Sequence, residues 1–226
     1  MNFNFGDYTN LPLSEGRVAI CLVCDVSGSM SIYDRIMELN TCLNRFPADV
    51  CKDSKAAELV DLCVITFNED ARVVQDWMPI NQLKNGLNLH LTAHGGTNMA
   101  AALELADKKV CEQAEFYEDA GGGTSKKPFL VVMSDGDVGN IDAILEKIRG
   151  RRDKGKYRVN FVGVNGYNRQ TAEKLTVPDQ IFEVHGEEGY DFTDFFDIMT
   201  LSLRTVSQKG DGEASGMSKL DKWLNS

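Results

Sequence analysis

Apolar residues along the chain follow two alternating patterns. Short, nearly continuous apolar runs are typical of strands that are covered on both faces of a sheet. Spacings of three and four residues instead predict helices with one buried face. The predicted strands are 17–24, 59–67, 71–77, 129–133, 159–164 and 181–184. The predicted helices are 32–46, which we expect to end at Pro47, then 99–117, 141–148, 169–175 and 192–206.

This alternation predicts a three-layer α/β fold with a doubly wound, mostly parallel sheet. The turn at 68–70 is too short for a parallel crossover, so we expect strand 71–77 to be an antiparallel edge strand. The pattern fits one domain over 15–207, with an N-terminal extension at 1–14 and a flexible Gly/Ser-rich tail at 208–226.

Charge and cysteine usage narrow the function classes. The chain has 226 residues and a formal net charge of −10, which disfavours binding to nucleic acid or to anionic membranes. No apolar run is long enough to span a membrane, and the N-terminus lacks the features of a secretory signal. Most of the six cysteines lie in apolar segments, and the Cys21–Cys24 pair lies within a predicted strand. We therefore expect a reduced, cytoplasmic protein.

Small polar residues collect where predicted strands end. Asp25–Met30 follows the first strand, Gly95–Asn98 precedes the long helix, and Ser134–Asp137 follows strand 129–133. Ligands of open α/β sheets bind beyond the carboxyl ends of the strands, so these segments are expected to share one edge. Carboxylates and hydroxyls supply only oxygen ligands, which suit a hard cation such as Mg²⁺, with Mn²⁺ as an alternative.

Each segment has a simpler interpretation when it is taken alone. Ser27, Ser29 and Thr97 are residue types that cap helix N-termini. A Ser-Asp-Gly sequence such as 134–136 is common in turns. The metal-site hypothesis depends on all three segments lying at the same edge of the sheet.

The motifs at this edge resemble those of a known family. Asp25-x-Ser27-x-Ser29, a later Thr97 at a helix start, and Asp135-Gly136 after a strand are similar to the metal-ion-dependent adhesion site (MIDAS) of von Willebrand factor A (VWA) domains. The resemblance covers about residues 15–207 and is strongest to small TerY- and YegL-like bacterial proteins.

The resemblance implies a role for each matching residue. Ser27, Ser29 and Thr97 would bind Mg²⁺ through their hydroxyls, and Asp25 and Asp135 would anchor those ligands. A partner protein would then supply an Asp or Glu as the last ligand. Residues expected at the rim of the site, as partner contacts, are Met30, His94, Asn98 and Asp137. Asp137 adds negative charge near the site or faces solvent, and the sequence does not separate these two alternatives.

The implied function is a non-enzymatic, metal-dependent protein-binding module. The relatives suggest a bacterial stress or tellurite-resistance system, with an AAA+ ATPase, a kinase or a phosphatase as partner. One alternative is a Mg²⁺-dependent phosphatase or phosphotransferase with Asp25 as nucleophile. Such enzymes usually carry a second Asp two residues on, where this chain has Ser27. The other alternative is a scaffold whose metal site is vestigial.

Overall fold

The computed structural model describes residues 16–119, 127–135, 141–186 and 189–208, and these contain six strands and six α-helices. The strands are β1 (Val18–Asp25), β2 (Val60–Phe67), β3 (Ala71–Pro79), β4 (Phe129–Ser134), β5 (Arg158–Val164) and β6 (Ile181–Val184). The helices are α1 (Arg35–Val50), α2 (Ser54–Leu59), α3 (Met99–Asp119), α4 (Asp142–Asp153), α5 (Arg169–Leu175) and α6 (Phe192–Gln208).

The strands form one sheet in the order β3-β2-β1-β4-β5-β6. Every neighbouring pair is parallel except β2 and β3, so β3 is an antiparallel edge strand. The predicted fold class is therefore confirmed. Strand β1 lies between β2 and β4 and is buried along its whole length, which explains its nearly continuous apolar sequence.

Both faces of the sheet are covered by helices. Ile20, Leu22 and Cys24 of β1 face a core layer shared with α1 and α6. Their neighbours Cys21 and Val23 face the opposite layer, which α3, α4 and α5 complete. Because alternate residues of a strand face opposite sides, Cys21 and Cys24 cannot pair with each other, and all six cysteines are free. No helix in the described part of the chain is both long and apolar enough to cross a membrane.

The first helix differs from its prediction at both ends. Residues 28–34 form a tight 3₁₀ segment with a kink at Ile32 and Tyr33, and α1 begins only at Arg35. Pro47 does not end the helix but lies inside its last turn. Proline removes one backbone donor there, and burial of Phe46 and Val50 on the same segment keeps the turn packed.

A buried ion pair, Arg17–Asp61, connects the residue before β1 to strand β2. It lies at the edge of the sheet opposite the carboxyl ends of the parallel strands. Arg17 Nε donates to Asp61 Oδ2 at 2.6 Å, and Arg17 Nη1 donates to the carbonyl of Glu58 at 2.7 Å. The Tyr117 hydroxyl of α3 also donates to Asp61. Because Asp61 is fully buried, its carboxylate depends on these donors in place of water.

We expect Asp61→Ala to lower the free energy of unfolding by about 3–5 kcal/mol, since it leaves the Arg17 guanidinium buried without its partner. Chemical denaturation followed by circular dichroism measures the loss. Glu112→Ala is the control, because it removes only an exposed pair with Lys108, worth at most about 1 kcal/mol. Equal stability losses in the two variants would contradict this account.

Candidate metal centre

The ends of β1 and β4 bring Asp25 and Ser134 together. Cys24 is paired with Met133 in the sheet, so the next residues along each strand, Asp25 and Ser134, lie side by side. The Ser134 hydroxyl donates to Asp25 Oδ2 at 2.6 Å, and the backbone N–H of Ser27 donates to Asp25 Oδ1 at 2.8 Å. Asp25 has no exposed surface, and both of its oxygens accept from the protein.

A chain of hydroxyls joins Asp25 to the second carboxylate. Ser27 Oγ lies 3.0 Å from Ser29 Oγ, and Ser29 Oγ donates to Asp135 Oδ1 at 2.7 Å. Burial raises the pKa of Asp25, and the nearby charge of Asp135 raises it further, although hydrogen bonds from Ser134 and Ser27 lower it. The two carboxylates thus repel each other, and Ser27 and Ser29 connect them through hydrogen bonds.

The loop that carries Thr97 is fixed to the same edge by backbone hydrogen bonds. Gly28 N donates to the carbonyl of Gly95 at 3.0 Å, and His94 N donates to the carbonyl of Val26 at 2.9 Å. Gly95 has a φ of +75°, a conformation that glycine adopts without strain. Thr97 follows Gly95 by two residues and is half-buried, and only Asn98 separates it from the start of α3. The structure therefore brings Asp25–Met30, Gly95–Asn98 and the described part of the third segment, Ser134 and Asp135, to one edge of the sheet.

Helix capping does not explain Ser27 or Thr97. Ser27 precedes the 3₁₀ segment, but its side chain makes no capping hydrogen bond. Asn98 caps α3, because its Oδ1 accepts from Ala101 N at 3.1 Å. Ser29 donates to Asp135 and does not cap a helix. The simpler interpretation of these hydroxyls as caps is therefore wrong.

The predicted rim contacts have different outcomes. Met30 is completely buried, so the expectation that it contacts a partner is wrong. The 3₁₀ segment turns this apolar side chain inward, where it joins the core layer that includes Val26 and Ile36. His94 and Asn98 are exposed, and their contact with a partner remains a prediction. Asp137 lies outside the described residues.

Arg35 is the main residue at this edge that the sequence analysis missed. Its Nη1 donates to Asp135 Oδ2 at 2.9 Å, and the side chains of both residues are almost completely buried. Arg35 Nη2 reaches the carbonyl of Asn165 at 3.4 Å. The sequence pattern gave no signal for it, because the predicted helix began at 32. Only the structure makes Arg35 the first residue of α1, where a cation is unfavourable.

The residues present fit a hard cation through their donor chemistry. Each oxygen of Asp25 and Asp135 already accepts from a protein donor, whereas the Ser27 and Ser29 hydroxyls lie between the carboxylates. In the described residues, no three or more His, Cys, Asp and Glu side chains are placed to hold a metal. Cation binding at this edge would therefore depend on serine and threonine hydroxyls, and neutral oxygen ligands suit Mg²⁺ better than Zn²⁺.

The sheet order, the antiparallel edge strand and the polar loops define the fold of a VWA domain. Among solved structures, the chain is similar to the vWF domain of the type V pili tip protein Mfa5 from Porphyromonas gingivalis, with 12% identity and a TM-score of 0.63 over 88% of this chain and 99% of that one. No family model and no curated protein matches the sequence.

Two further structures place the same fold within longer chains. The pilus adhesin SpaC from Lactobacillus rhamnosus GG matches with 14% identity and a TM-score of 0.63, over 84% of this chain and 31% of that one. Proximal thread matrix protein 1 from the mussel byssus, solved with a zinc-occupied MIDAS motif, matches with 16% identity and a TM-score of 0.60, over 86% of this chain and 46% of that one. Each of these two proteins is more than twice as long as the part that this chain covers.

We expect Asp25→Asn to raise the unfolding temperature at neutral pH in EDTA, because it removes a buried charge that repels Asp135. Each kcal/mol gained would raise the midpoint by about 2–4 °C for a domain of this size. Since the pKa of Asp25 is raised in the folded state, lowering the pH protonates the wild-type carboxyl and removes the penalty. The difference between the two proteins should therefore shrink as the pH falls. A variant less stable than wild type at neutral pH would contradict this expectation.

Proposed function

We propose that this chain is a protein-binding module that holds a divalent cation, Mg²⁺ or alternatively Mn²⁺, and uses it to bind an acidic residue of a partner protein. The observation that carries the proposal is the placement of the Ser27 and Ser29 hydroxyls between two buried carboxylates. In this proposal Ser27, Ser29 and Thr97 hold the ion, and Asp25 and Asp135 orient the serines. The resemblance of the motifs to a MIDAS supports the assignment.

The ligands that the protein supplies would not fully neutralise the positive charge of such an ion. The hydroxyl ligands are neutral. Hydrogen bonds from protein donors to Asp25 and Asp135 offset part of the negative charge of both carboxylates. A bound cation would supply an attractive position for one further anionic oxygen. Because the whole chain carries a net charge of −10, this local attraction is needed to bring an acidic partner to the surface.

Exposed apolar side chains beside the site favour a protein partner over a small anion. Ile32, Tyr33 and Met37 are 49%, 84% and 64% exposed, and all three lie within a few residues of Ser29 or Arg35. Tyr33 has a φ of +54°, which is strained for an aromatic residue. Its ring lies near the Arg35 guanidinium, 5.7 Å from centroid to Cζ. These side chains would contact apolar groups that flank the partner's carboxylate.

The cellular setting that we propose rests on the sequence resemblance. A TerY-like role in a bacterial stress or tellurite-resistance system would give the chain an AAA+ ATPase, a kinase or a phosphatase as partner. Six free cysteines, with Cys21 and Cys24 on opposite faces of β1, support a reducing, cytoplasmic environment. The structural neighbours support the fold and do not bear on this setting.

The burial of Asp25 favours a binding role over phosphoryl transfer. A nucleophilic carboxylate needs one oxygen free to attack phosphorus, whereas both oxygens of Asp25 accept short hydrogen bonds and the residue has no exposed surface. The residue two positions on is Ser27, and its hydroxyl is a poor general acid or base compared with a second carboxylate.

We therefore expect no Mg²⁺-dependent turnover of p-nitrophenyl phosphate by the pure protein above the level of Asp25→Asn. The measurement is the release of p-nitrophenolate, and Asp25→Asn controls for a contaminating phosphatase. Turnover in the wild type that Asp25→Asn abolishes would overturn the binding role in favour of the enzyme.

Calorimetric titration separates the binding module from a scaffold with a vestigial site. We expect Mg²⁺ and Mn²⁺ to bind the wild type at one site, and we expect Ser27→Ala and Thr97→Ala to weaken that binding at least about tenfold. Ser31→Ala is the matched control, because Ser31 lies on the same segment but its hydroxyl donates to the carbonyl of Gly28. Wild-type protein that binds neither ion would contradict the proposal and favour the scaffold.

A further inference from the structure

The Arg35–Asp135 ion pair places a fixed positive charge inside the candidate metal centre. Arg35 Nη1 donates to one oxygen of Asp135 at 2.9 Å, and Ser29 donates to the other oxygen at 2.7 Å. The exposed fractions of the two paired side chains are 7% and 2%. At this burial the pair is only weakly screened by salt, so its charge acts on whatever binds at the serines.

Arg35 is less well satisfied than a purely structural arginine in the same protein. The guanidinium of Arg17 donates through Nε and both terminal nitrogens to Asp61 and to a backbone carbonyl. Arg35 has a buried Nε without a hydrogen-bond partner in the described part of the chain, and its second contact is a long one to the Asn165 carbonyl. Burying an incompletely paired guanidinium at a helix N-terminus destabilises the fold, so stability alone does not account for it.

The charge balance of the centre shows what Arg35 changes. Asp25 and Asp135 carry two negative charges, and Arg35 reduces them to one net negative charge. A divalent cation would then leave one net positive charge at the centre, whereas without Arg35 the centre would be neutral. A positive charge next to the serines therefore opposes the cation and favours a further carboxylate.

We propose that Arg35 sets this balance: it weakens binding of the divalent cation and strengthens binding of an acidic group to the occupied centre. This inference rests on the proposed metal site. It assigns a positioning and charge-setting role to Arg35, which is not itself a metal ligand. The residual positive charge favours an anionic partner group, in agreement with the acidic residue of the proposed function.

The test titrates Mn²⁺ into Arg35→Gln, Arg35→Met and Arg35→Lys and measures binding by calorimetry and by the loss of the free-ion electron paramagnetic resonance signal. We expect either neutral variant to bind Mn²⁺ at least about tenfold more tightly than the wild type, and Arg35→Lys to stay within about threefold of it. Circular dichroism and thermal unfolding identify the folded variants. Methionine retains the apolar stem of the side chain, and glutamine retains a donor to Asp135.

A second measurement repeats the titrations in acetate and in chloride at the same ionic strength. Acetate should tighten Mn²⁺ binding in the wild type and in Arg35→Lys. In the neutral variants this tightening by acetate should be at least about threefold smaller. Equal Mn²⁺ affinity in Arg35→Lys and a folded neutral variant would overturn the inference while leaving the metal site in place. If the neutral variants bind Mn²⁺ and the wild type and Arg35→Lys do not, the result would support the inference and contradict the proposed function of the wild type. Failure of every variant to bind would overturn both.

Discussion

Two carboxylates end up close together at the carboxyl edge of the sheet because β1 and β4 are parallel neighbours, and the arrangement of this edge follows from that constraint. Asp25 ends β1 and Asp135 follows β4 directly, so the backbone register itself creates the repulsion. Donors from Ser27, Ser134, Ser29 and Arg35 surround the two groups and offset part of it. The raised pKa of Asp25 shows that the burial penalty exceeds what its hydrogen bonds recover.

In the proposed function, this arrangement lowers the stability of one edge of the sheet and provides a site for a cation. The fold is held together elsewhere, by apolar layers on both faces of the sheet and by the Arg17–Asp61 pair at the opposite end. The fold therefore does not depend on the polar edge for its stability. The Gly28–Gly95 hydrogen bond holds the loops of that edge in place. Strain at Tyr33 and the buried Nε of Arg35 lie at this same edge, as is common where binding sites are built.

The sequence predicted the sheet and the meeting of the polar segments at one edge because both depend on local patterns, and the metal-ligand roles of their residues stay predictions. Apolar runs identified the strands, and the short 68–70 turn identified β3 as antiparallel. Met30 and Pro47 were predicted wrongly, because the 3₁₀ segment and the packing around α1 override local preference. Arg35 was missed for a different reason. Its partner lies 100 positions away, and a single sequence carries no sign of so distant a contact.

The metal site can be tested with a crystal of the chain that is grown or soaked with Mn²⁺ and measured at a wavelength where manganese scatters anomalously. We expect one strong anomalous peak at bonding distance from the hydroxyl oxygens of Ser27, Ser29 and Thr97, with Asp25 and Asp135 around them. A Ser27→Ala crystal under the same conditions should lack that peak. A peak bound elsewhere, or none at a saturating concentration of Mn²⁺, would contradict the metal-bridged binding of an acidic partner.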